Sequence, residues 1–169
     1  MNQDNNTSNA EGLKKLVEKI KDIKTAMFVT ADQDGTLRSR PMRQQTIDED
    51  GTIWFFTRQP SGKTEEIKQD SHVNLSYAEP ADQKFVSVSG KATLSKDKAK
   101  IDELWDPSVK AWFPEGKEDP ELAVIKVTPT KAEYWDSPSN VMVHLFGLVK
   151  ATVTGESYEP GDNQKINVS

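Results

Sequence analysis

The first apolar pattern along the chain has the period of a helix. Apolar residues recur at steps of three, one, three and three from Leu13 to Ile23, with lysines and glutamates between them. This spacing places the apolar side chains on one face of an α-helix, which we predict over about residues 11–23. The preceding residues, MNQDNNTSNA, are polar, so we expect residues 1–10 to be disordered.

After this helix the pattern changes to alternation. Residues 26–48 predict two strands joined at Asp34-Gly35, where glycine readily supplies the positive φ of a tight turn. Residues 52–57 (TIWFFT) are nearly all aromatic or β-branched, as in a central strand. Further strands are predicted over 73–78, 84–95, 122–129 and 131–136, and short helices over 63–69 and 96–105.

The C-terminal region has a less decisive pattern. Residues 141–153 fit either a helix or a strand, and we prefer the helix. From residue 155 onward the sequence is polar. We therefore expect one domain over residues 11–155, followed by a loosely held tail over residues 156–169.

The order of these elements predicts the fold class. Strands outnumber helices and do not alternate strictly with them, which argues against a doubly wound parallel sheet. We predict a mainly β fold, an antiparallel barrel of six to seven strands with three to four peripheral α-helices.

Composition excludes several classes of function. The chain has 169 residues, of which 34% are hydrophobic and 29% charged, as in one globular domain. A net charge of −5 argues against nucleic acid or an anionic membrane as the main partner. No apolar stretch predicts a membrane span or a signal peptide, so we expect a cytoplasmic protein. With no cysteine and two well-separated histidines, no metal site is expected.

Residues 61–64 (SGKT) are a candidate for phosphate binding. They follow an apolar strand and precede a helix, but Thr57 stands where a nucleotide P-loop requires its first glycine. The N–H groups of a helix N-terminus, with two hydroxyls and the charge of Lys63, still suit one phosphate. The alternative is that Ser61 is an ordinary N-cap and Lys63 a solvated surface lysine.

Residues 37–42 (LRSRPM) are polar on both faces of a predicted strand. Pro41 donates no hydrogen bond to a neighbouring strand, so it belongs at an edge, a bulge or a ligand-facing position. One explanation is an exposed edge strand protected by arginines. The other is a ligand along this edge, which would give the arginines an anion. The two faces carry Arg38, Arg40 and Met42, and Ser39, Pro41 and Arg43.

Together these motifs resemble a known family. The segment SRPM, the strand ending in Phe56-Thr57, and Ser61-x-Lys63 before a short helix are similar to flavin-binding split barrels related to pyridoxamine 5′-phosphate oxidase. Within that family the similarity is greatest to the general stress protein branch. The resemblance implies a split barrel that binds FMN, with FAD as the alternative, at the interface of a homodimer. Trp112 and Phe113 are then expected to be buried against the partner chain.

The resemblance also implies roles for individual residues. Arg40 and Lys63 would bind the FMN phosphate, with Ser61 and Thr64 as neutral donors. Both charged side chains are expected at the protein surface. The other implied flavin contacts are Pro41 and Met42 beside the ring, Gln45 near it, Phe56 and Thr57 on the strand side, and Trp112 of the partner chain.

Two departures from the family's oxidases limit the expected activity. Gly62 stands where the oxidases carry a second basic residue for the flavin phosphate. The chain also lacks a counterpart of the C-terminal arginine and histidine with which those enzymes hold pyridoxal phosphate. We therefore expect a flavin-dependent oxidoreductase of unknown substrate rather than a true pyridoxamine phosphate oxidase. The alternatives are a non-catalytic, flavin-binding or flavin-storing stress protein and a barrel without a ligand.

Overall fold

The computed structural model describes residues 9–137, 150, 152, 154 and 161–168. Disorder was predicted for residues 1–10; residues 1–8 lie outside the described residues, but residues 9 and 10 are helical, which corrects that part of the prediction. Of residues 141–153, for which a helix was preferred over a strand, only 150 and 152 are described, and both are helical. The main elements are α1 (Asn9–Ile20), β1 (Thr25–Ala31), β2 (Leu37–Ile47), β3 (Ile53–Arg58), α2 (Gly62–Gln69), β4 (His72–Glu79), β5 (Lys84–Ser95), α3 (Lys98–Leu104), β6 (Leu122–Asp136) and β7 (Asp162–Asn167).

Six of these strands close into an antiparallel barrel. They are hydrogen-bonded in the order β3-β2-β1-β4-β5-β6, and β3 also pairs with β6. The seventh strand, β7, pairs with residues 131–136 of β6, beyond the segment that pairs with β3. This arrangement confirms the predicted mainly β fold, with α1, α2 and α3 outside the barrel.

The barrel interior contains the main hydrophobic core. Alternation along β1 buries Ala26, Phe28 and Thr30, while the residues between them face outward. The ring of Phe28 meets that of Phe55 edge to face, with 5.3 Å between centroids. Leu16 of α1 is buried in the same cluster, so the predicted apolar helix face packs against the barrel.

A second apolar cluster lies outside the barrel wall. It explains why β3 is apolar on both faces, because Trp54 and Phe56 point away from the interior. Trp54 packs with α3 and with the chain that follows it. The ring of Phe56 lies 6.1 Å from that of Trp105 and 6.5 Å from that of Phe113. Residues 98–113 therefore form a cover over one side of the barrel.

Strand β6 differs from the sequence prediction of two strands, over 122–129 and 131–136. The strand continues through a β-bulge, since Ser89 pairs with Lys131 but the adjacent Gly90 pairs with Pro129. A Cβ at Gly90 would lie only 2.6 Å from the carbonyl oxygen of Thr128, so glycine permits this close approach. The proline bends the strand without ending it.

The C-terminal tail also differs from the prediction. Residues 162–167 were expected to be loosely held, but they pair with β6 as β7. One apolar side chain, Ile166, is buried in the main core, and Asp162 accepts a hydrogen bond from the Tyr134 hydroxyl at 2.9 Å. A Cβ on Gly12 would lie 2.5 Å from Ile166 Cγ2, so α1 packs closely over this strand. An edge strand with a single buried side chain has no apolar alternation for a sequence pattern to detect.

Candidate functional site

A capped helix start lies at one end of the barrel, after β3. Ser61 is the N-cap of α2, and its Oγ accepts a hydrogen bond from the Thr64 backbone N–H at 3.4 Å. In return Thr64 Oγ1 accepts from the Ser61 N–H at 2.8 Å, which completes a capping box. The N-cap interpretation of Ser61 is therefore correct. The fully buried Thr64 hydroxyl is occupied by the cap.

Lys63 lies in the first turn of this helix and is half-buried. Among the described residues, its Nζ makes one hydrogen bond, at 3.4 Å to Ser61 Oγ. Its pKa is lowered, first by burial and then by the positive charge of Arg40, while Glu66 acts in the opposite sense. Lys63 is thus not fully solvated, and its charge is only partly compensated.

Glu66, one turn further along α2, binds two arginines of β2. Its Oε2 accepts a hydrogen bond from Arg40 Nη2 at 2.9 Å, and its Oε1 accepts one from Arg38 Nη1 at 3.1 Å. The Thr30 hydroxyl donates to Oε2 and accepts from Arg40 Nη1. The Glu66 side chain is only 5% exposed. The anion that the arginines were expected to meet is therefore a carboxylate of the same chain.

Positive charges outnumber negative charges at this site. Burial alone would raise the pKa of Glu66, but hydrogen bonds from Thr30 and Arg40 and the charges of Arg40 and Arg38 lower it below its usual value. One ionised carboxylate therefore faces Arg38, Arg40 and Lys63. Asp32 approaches Arg38 only at the exposed side, at 3.8 Å. The cluster remains positive, which suits an anion.

Two features of this cluster differ from the sequence analysis. Arg40 was expected at the surface, but its side chain is 22% exposed because it reaches inward to Glu66. Glu66 was not a candidate at all. It follows Glu65 on a short helix, and nothing in the sequence distinguishes the buried carboxylate from the exposed one. Only the paired arginines on the facing side of β2 indicated that a buried anion was needed.

The residues of β2 that the resemblance implies as contacts of the flavin ring do not face one common space within a single chain. Pro41 is exposed on the outer barrel face beside Met27, whereas Met42 points inward and packs against the main core. Gln45 lies at a β-bulge beyond the paired Gln44, and its Nε2 donates to the Arg43 carbonyl at 3.1 Å.

The other implied contacts are similarly dispersed. Thr57 is buried in the barrel wall, and Phe56 lies in the second apolar cluster. Trp112 is 73% exposed, and its carbonyl accepts a hydrogen bond from Arg58. Phe113 was expected to be buried against a partner. That expectation is wrong, because Phe113 is buried in its own chain, under Arg58.

Comparison with known proteins decides the family. A family model described as pyridoxamine 5′-phosphate oxidase like matches residues 11–159. The chain belongs to this family. It is 32% identical to protein bli-3 of Neurospora crassa, in a match that covers 79% of this chain and 68% of that protein.

Solved structures of other proteins share this fold. A general stress protein 26 from Jannaschia sp. CCS1 has a TM-score of 0.74 at 23% identity, covering 94% of this chain and 99% of that one. A general stress FMN/FAD binding protein from Xanthomonas citri has a TM-score of 0.64 at 32% identity, covering 75% of this chain and 89% of that one. The resemblance inferred from the motifs is therefore confirmed, and the barrel is a family split barrel.

In the part of the chain that the structure describes, no helix is long and apolar enough to cross a membrane. No three His, Asp or Glu side chains of these residues are grouped as metal ligands.

Proposed function

We propose that the protein binds FMN and acts as a flavin-dependent oxidoreductase. The observation that carries this proposal is the half-buried, partly uncompensated charge of Lys63 beside Arg40 at the N-terminus of α2. A phosphate there would relieve the repulsion between the two cations and meet helix N–H groups that lack intrahelical partners. The named flavin binding of the Xanthomonas citri relative, at 32% identity, supports the same assignment.

The residues present fit the phosphate of FMN. Lys63 Nζ and the first N–H groups of α2 would donate to its oxygens, and Ser61 Oγ already lies 3.4 Å from Lys63 Nζ. Among the described residues, Nε of Arg40 makes no hydrogen bond, so this edge of the guanidinium is available as a further donor. A single phosphate monoester matches this compact donor set, and we therefore favour FMN over FAD.

A second copy of the chain completes the proposed site. One chain assembles the phosphate donors but leaves Trp112 exposed and Pro41 open on the outer barrel face. An indole that is 73% exposed is more typical of a contact surface than of a solvated monomer. We propose a homodimer in which Trp112 of one chain covers the flavin bound by the other, in a cytoplasmic protein.

The catalytic part of the proposal rests on the cofactor. When bound, the flavin would supply the electron-transfer chemistry. The chain's own residues bind and orient it, since Glu66 is held ionised by two arginines and is not poised to exchange protons. This same feature favours the second candidate, a flavin-binding protein without turnover.

Two measurements test the proposal in sequence. The absorption spectrum of the purified protein should show the bands of bound flavin, retained on gel filtration after loading with FMN. A colourless protein that does not retain added FMN would reject flavin binding. For the loaded protein, bleaching of those bands by a reduced nicotinamide under anaerobic conditions supports an oxidoreductase. Bands that persist would favour the non-catalytic binder.

A further inference from the structure

The most deeply buried charge at the site is the carboxylate of Glu66, which is not itself a donor to phosphate. We infer that Glu66 is a positioning residue, which holds Arg40 and Arg38 in place for an anion at the N-terminus of α2. The inference also assigns Arg38 to that anion site. Insofar as the anion is the phosphate of FMN, the inference rests on the proposed function.

Both oxygens of the Glu66 carboxylate accept hydrogen bonds, which come from the two arginines and Thr30. A buried carboxylate is stable only when its oxygens are paired. Oε1 accepts from Arg38 at 3.1 Å, and Oε2 accepts from both Arg40, at 2.9 Å, and the Thr30 hydroxyl. Since β1, β2 and α2 each supply one side of this arrangement, it fixes the helix relative to the sheet.

The guanidinium of Arg40 is held at three points. Nη2 donates to Glu66, Nη1 donates to the Thr30 hydroxyl, and Nη1 also lies 3.5 Å from the Phe28 carbonyl oxygen. These contacts fix the plane of the group and leave its Nε edge without a partner among the described residues. A planar donor with a fixed orientation binds an oxyanion at a lower entropic cost than a mobile one.

Arg38 is held at the same helix start. Its Nη1 would lie 4.0 Å from a Cβ built on Gly62, the first residue of α2. The side chain is 55% exposed, so it is accessible to a ligand on the side away from Glu66. Arg38 therefore stands beside the N–H groups of α2, together with Lys63 and Arg40.

A glutamine at position 66 would disrupt this arrangement without removing the side chain. The carboxylate accepts three hydrogen bonds through two oxygens, whereas an amide offers one oxygen and an NH₂ donor. The NH₂ group would have to face an arginine or the Thr30 hydroxyl, so one of these groups must turn away. Glu66→Gln therefore tests positioning with little change of volume.

The experiment compares Glu66→Gln with Glu65→Gln, the same chemical change at the neighbouring exposed position of α2. FMN and riboflavin affinities are measured for wild type and both variants by flavin fluorescence titration. We expect Glu66→Gln to raise the Kd for FMN about 10- to 100-fold, the equivalent of one or two weakened charge-assisted hydrogen bonds. Riboflavin, which lacks the phosphate, should bind within about twofold of wild type in both variants.

A double-mutant cycle with Arg40 identifies the route of the effect. If Glu66 acts through Arg40, the two substitutions together should weaken FMN binding much less than the sum of their separate effects. Thr30→Val removes the hydroxyl between the two groups and should give a smaller loss of the same phosphate-specific kind. This variant tests the same inference if Glu66→Gln does not fold.

The inference is overturned if Glu66→Gln leaves FMN affinity unchanged, tightens it, or weakens riboflavin equally. A tighter complex would mean that Glu66 competes with the phosphate. Inorganic phosphate separates this failure from that of the flavin proposal. If wild type binds no flavin, phosphate should still raise the thermal midpoint of wild type and Glu65→Gln but not of Glu66→Gln. Equal stabilisation of all three proteins would reject the positioning role as well.

Discussion

Arg40 Nη2 and Glu66 Oε2 lie 2.9 Å apart, and this ion pair joins the second strand of the barrel to the second turn of α2. The arginine of the SRPM motif is therefore a structural residue before any ligand is considered. Arg40 thus has a structural role, as the partner of Glu66, and a proposed binding role, as a donor to an anion. Removing it should affect both the stability of the fold and the affinity for an anion.

Arg40→Ala is expected to destabilise the protein by about 3–5 kcal/mol, because it leaves a buried carboxylate without its main partner. Urea unfolding measures the loss, with Arg43→Ala, an exposed arginine of the same strand, as the control. Arg43→Ala should change stability by less than about 0.5 kcal/mol. Adding Glu66→Gln to Arg40→Ala should recover part of the stability. A loss for Arg40→Ala as small as that of the control would contradict the buried pair.

The lowered pKa of Glu66 predicts a specific pH dependence. Because the folded pKa lies below the unfolded value, ionised Glu66 stabilises the fold fully above the unfolded value, about 4.3. This stabilisation is lost as the pH falls through the lower folded value. The free energies of unfolding of wild type and Glu66→Gln should therefore differ at neutral pH, and the difference should shrink as the pH falls below the unfolded value and through the lower folded one. Parallel curves down to low pH would show that Glu66 is not the group responsible.

Lys63→Ala should weaken FMN binding by about 1.5–3 kcal/mol and leave riboflavin binding nearly unchanged, as expected for a charge-assisted contact to phosphate. Lys68→Ala is the matched control, since Lys68 lies on the same helix and pairs with Glu65 at 2.8 Å. The folded state lowers the pKa of Lys63 and so disfavours its charge. Lys63→Ala should accordingly not reduce stability. Equal effects on FMN and riboflavin would refute the phosphate assignment.

The proposed dimer is checked by light scattering after size exclusion, which should give about twice the chain mass of 18.9 kDa. Trp112→Ala should weaken binding of both FMN and riboflavin, because the indole would cover the ring rather than the phosphate. Leu37→Ala, at a side chain of similar exposure, is the control. A monomer at micromolar concentration that binds flavin tightly would exclude a shared site.

FMN-loaded protein should have negligible pyridoxamine phosphate oxidase activity. A second phosphate requires further basic groups, but Arg38, Arg40 and Lys63 are assigned to the phosphate of FMN, and Arg43 is exposed on the opposite face of the same strand as Arg40. Sustained formation of pyridoxal phosphate above about 0.1 per second, within the ordinary range of enzymes, would refute this prediction.

The fold was largely predictable because its signals are local. Alternation with a turn at Asp34-Gly35 predicted the first two strands, and the aromatic and β-branched run TIWFFT predicted the third. Gly35 has the positive φ, 82°, that such a turn requires. The two errors in the strands share a cause, which is that pairing with a distant strand decides both. Pro129 was taken as a strand end, because the β-bulge that accommodates it depends on the partner strand β5. The strand β7 was missed because Ile166 is its one buried apolar side chain.

The site was less predictable because its central interaction is not local. The arginine face of β2 and the helix start at Ser61 were both visible as patterns. The residue that joins them, Glu66, lies 26 positions from Arg40 and has the composition of an ordinary surface helix. Burial of this carboxylate follows from how α2 sits on the barrel end, which no short sequence motif encodes. The charged groups where α2 meets the barrel, Arg38, Arg40 and Glu66, are therefore hydrogen-bonded to one another.

The contact between Gly12 and Ile166 brings the N-terminal helix and the last strand together, since α1 lies directly over β7. A circular permutant is therefore geometrically feasible. A short flexible linker would connect residue 168 to residue 9, and new termini would open at the exposed turn of Asp34 and Gly35. Every strand pairing of the barrel would be kept. Fusion partners attached at the new termini would emerge from the β1–β2 turn, which adjoins Arg38, and so would report on ligand binding there.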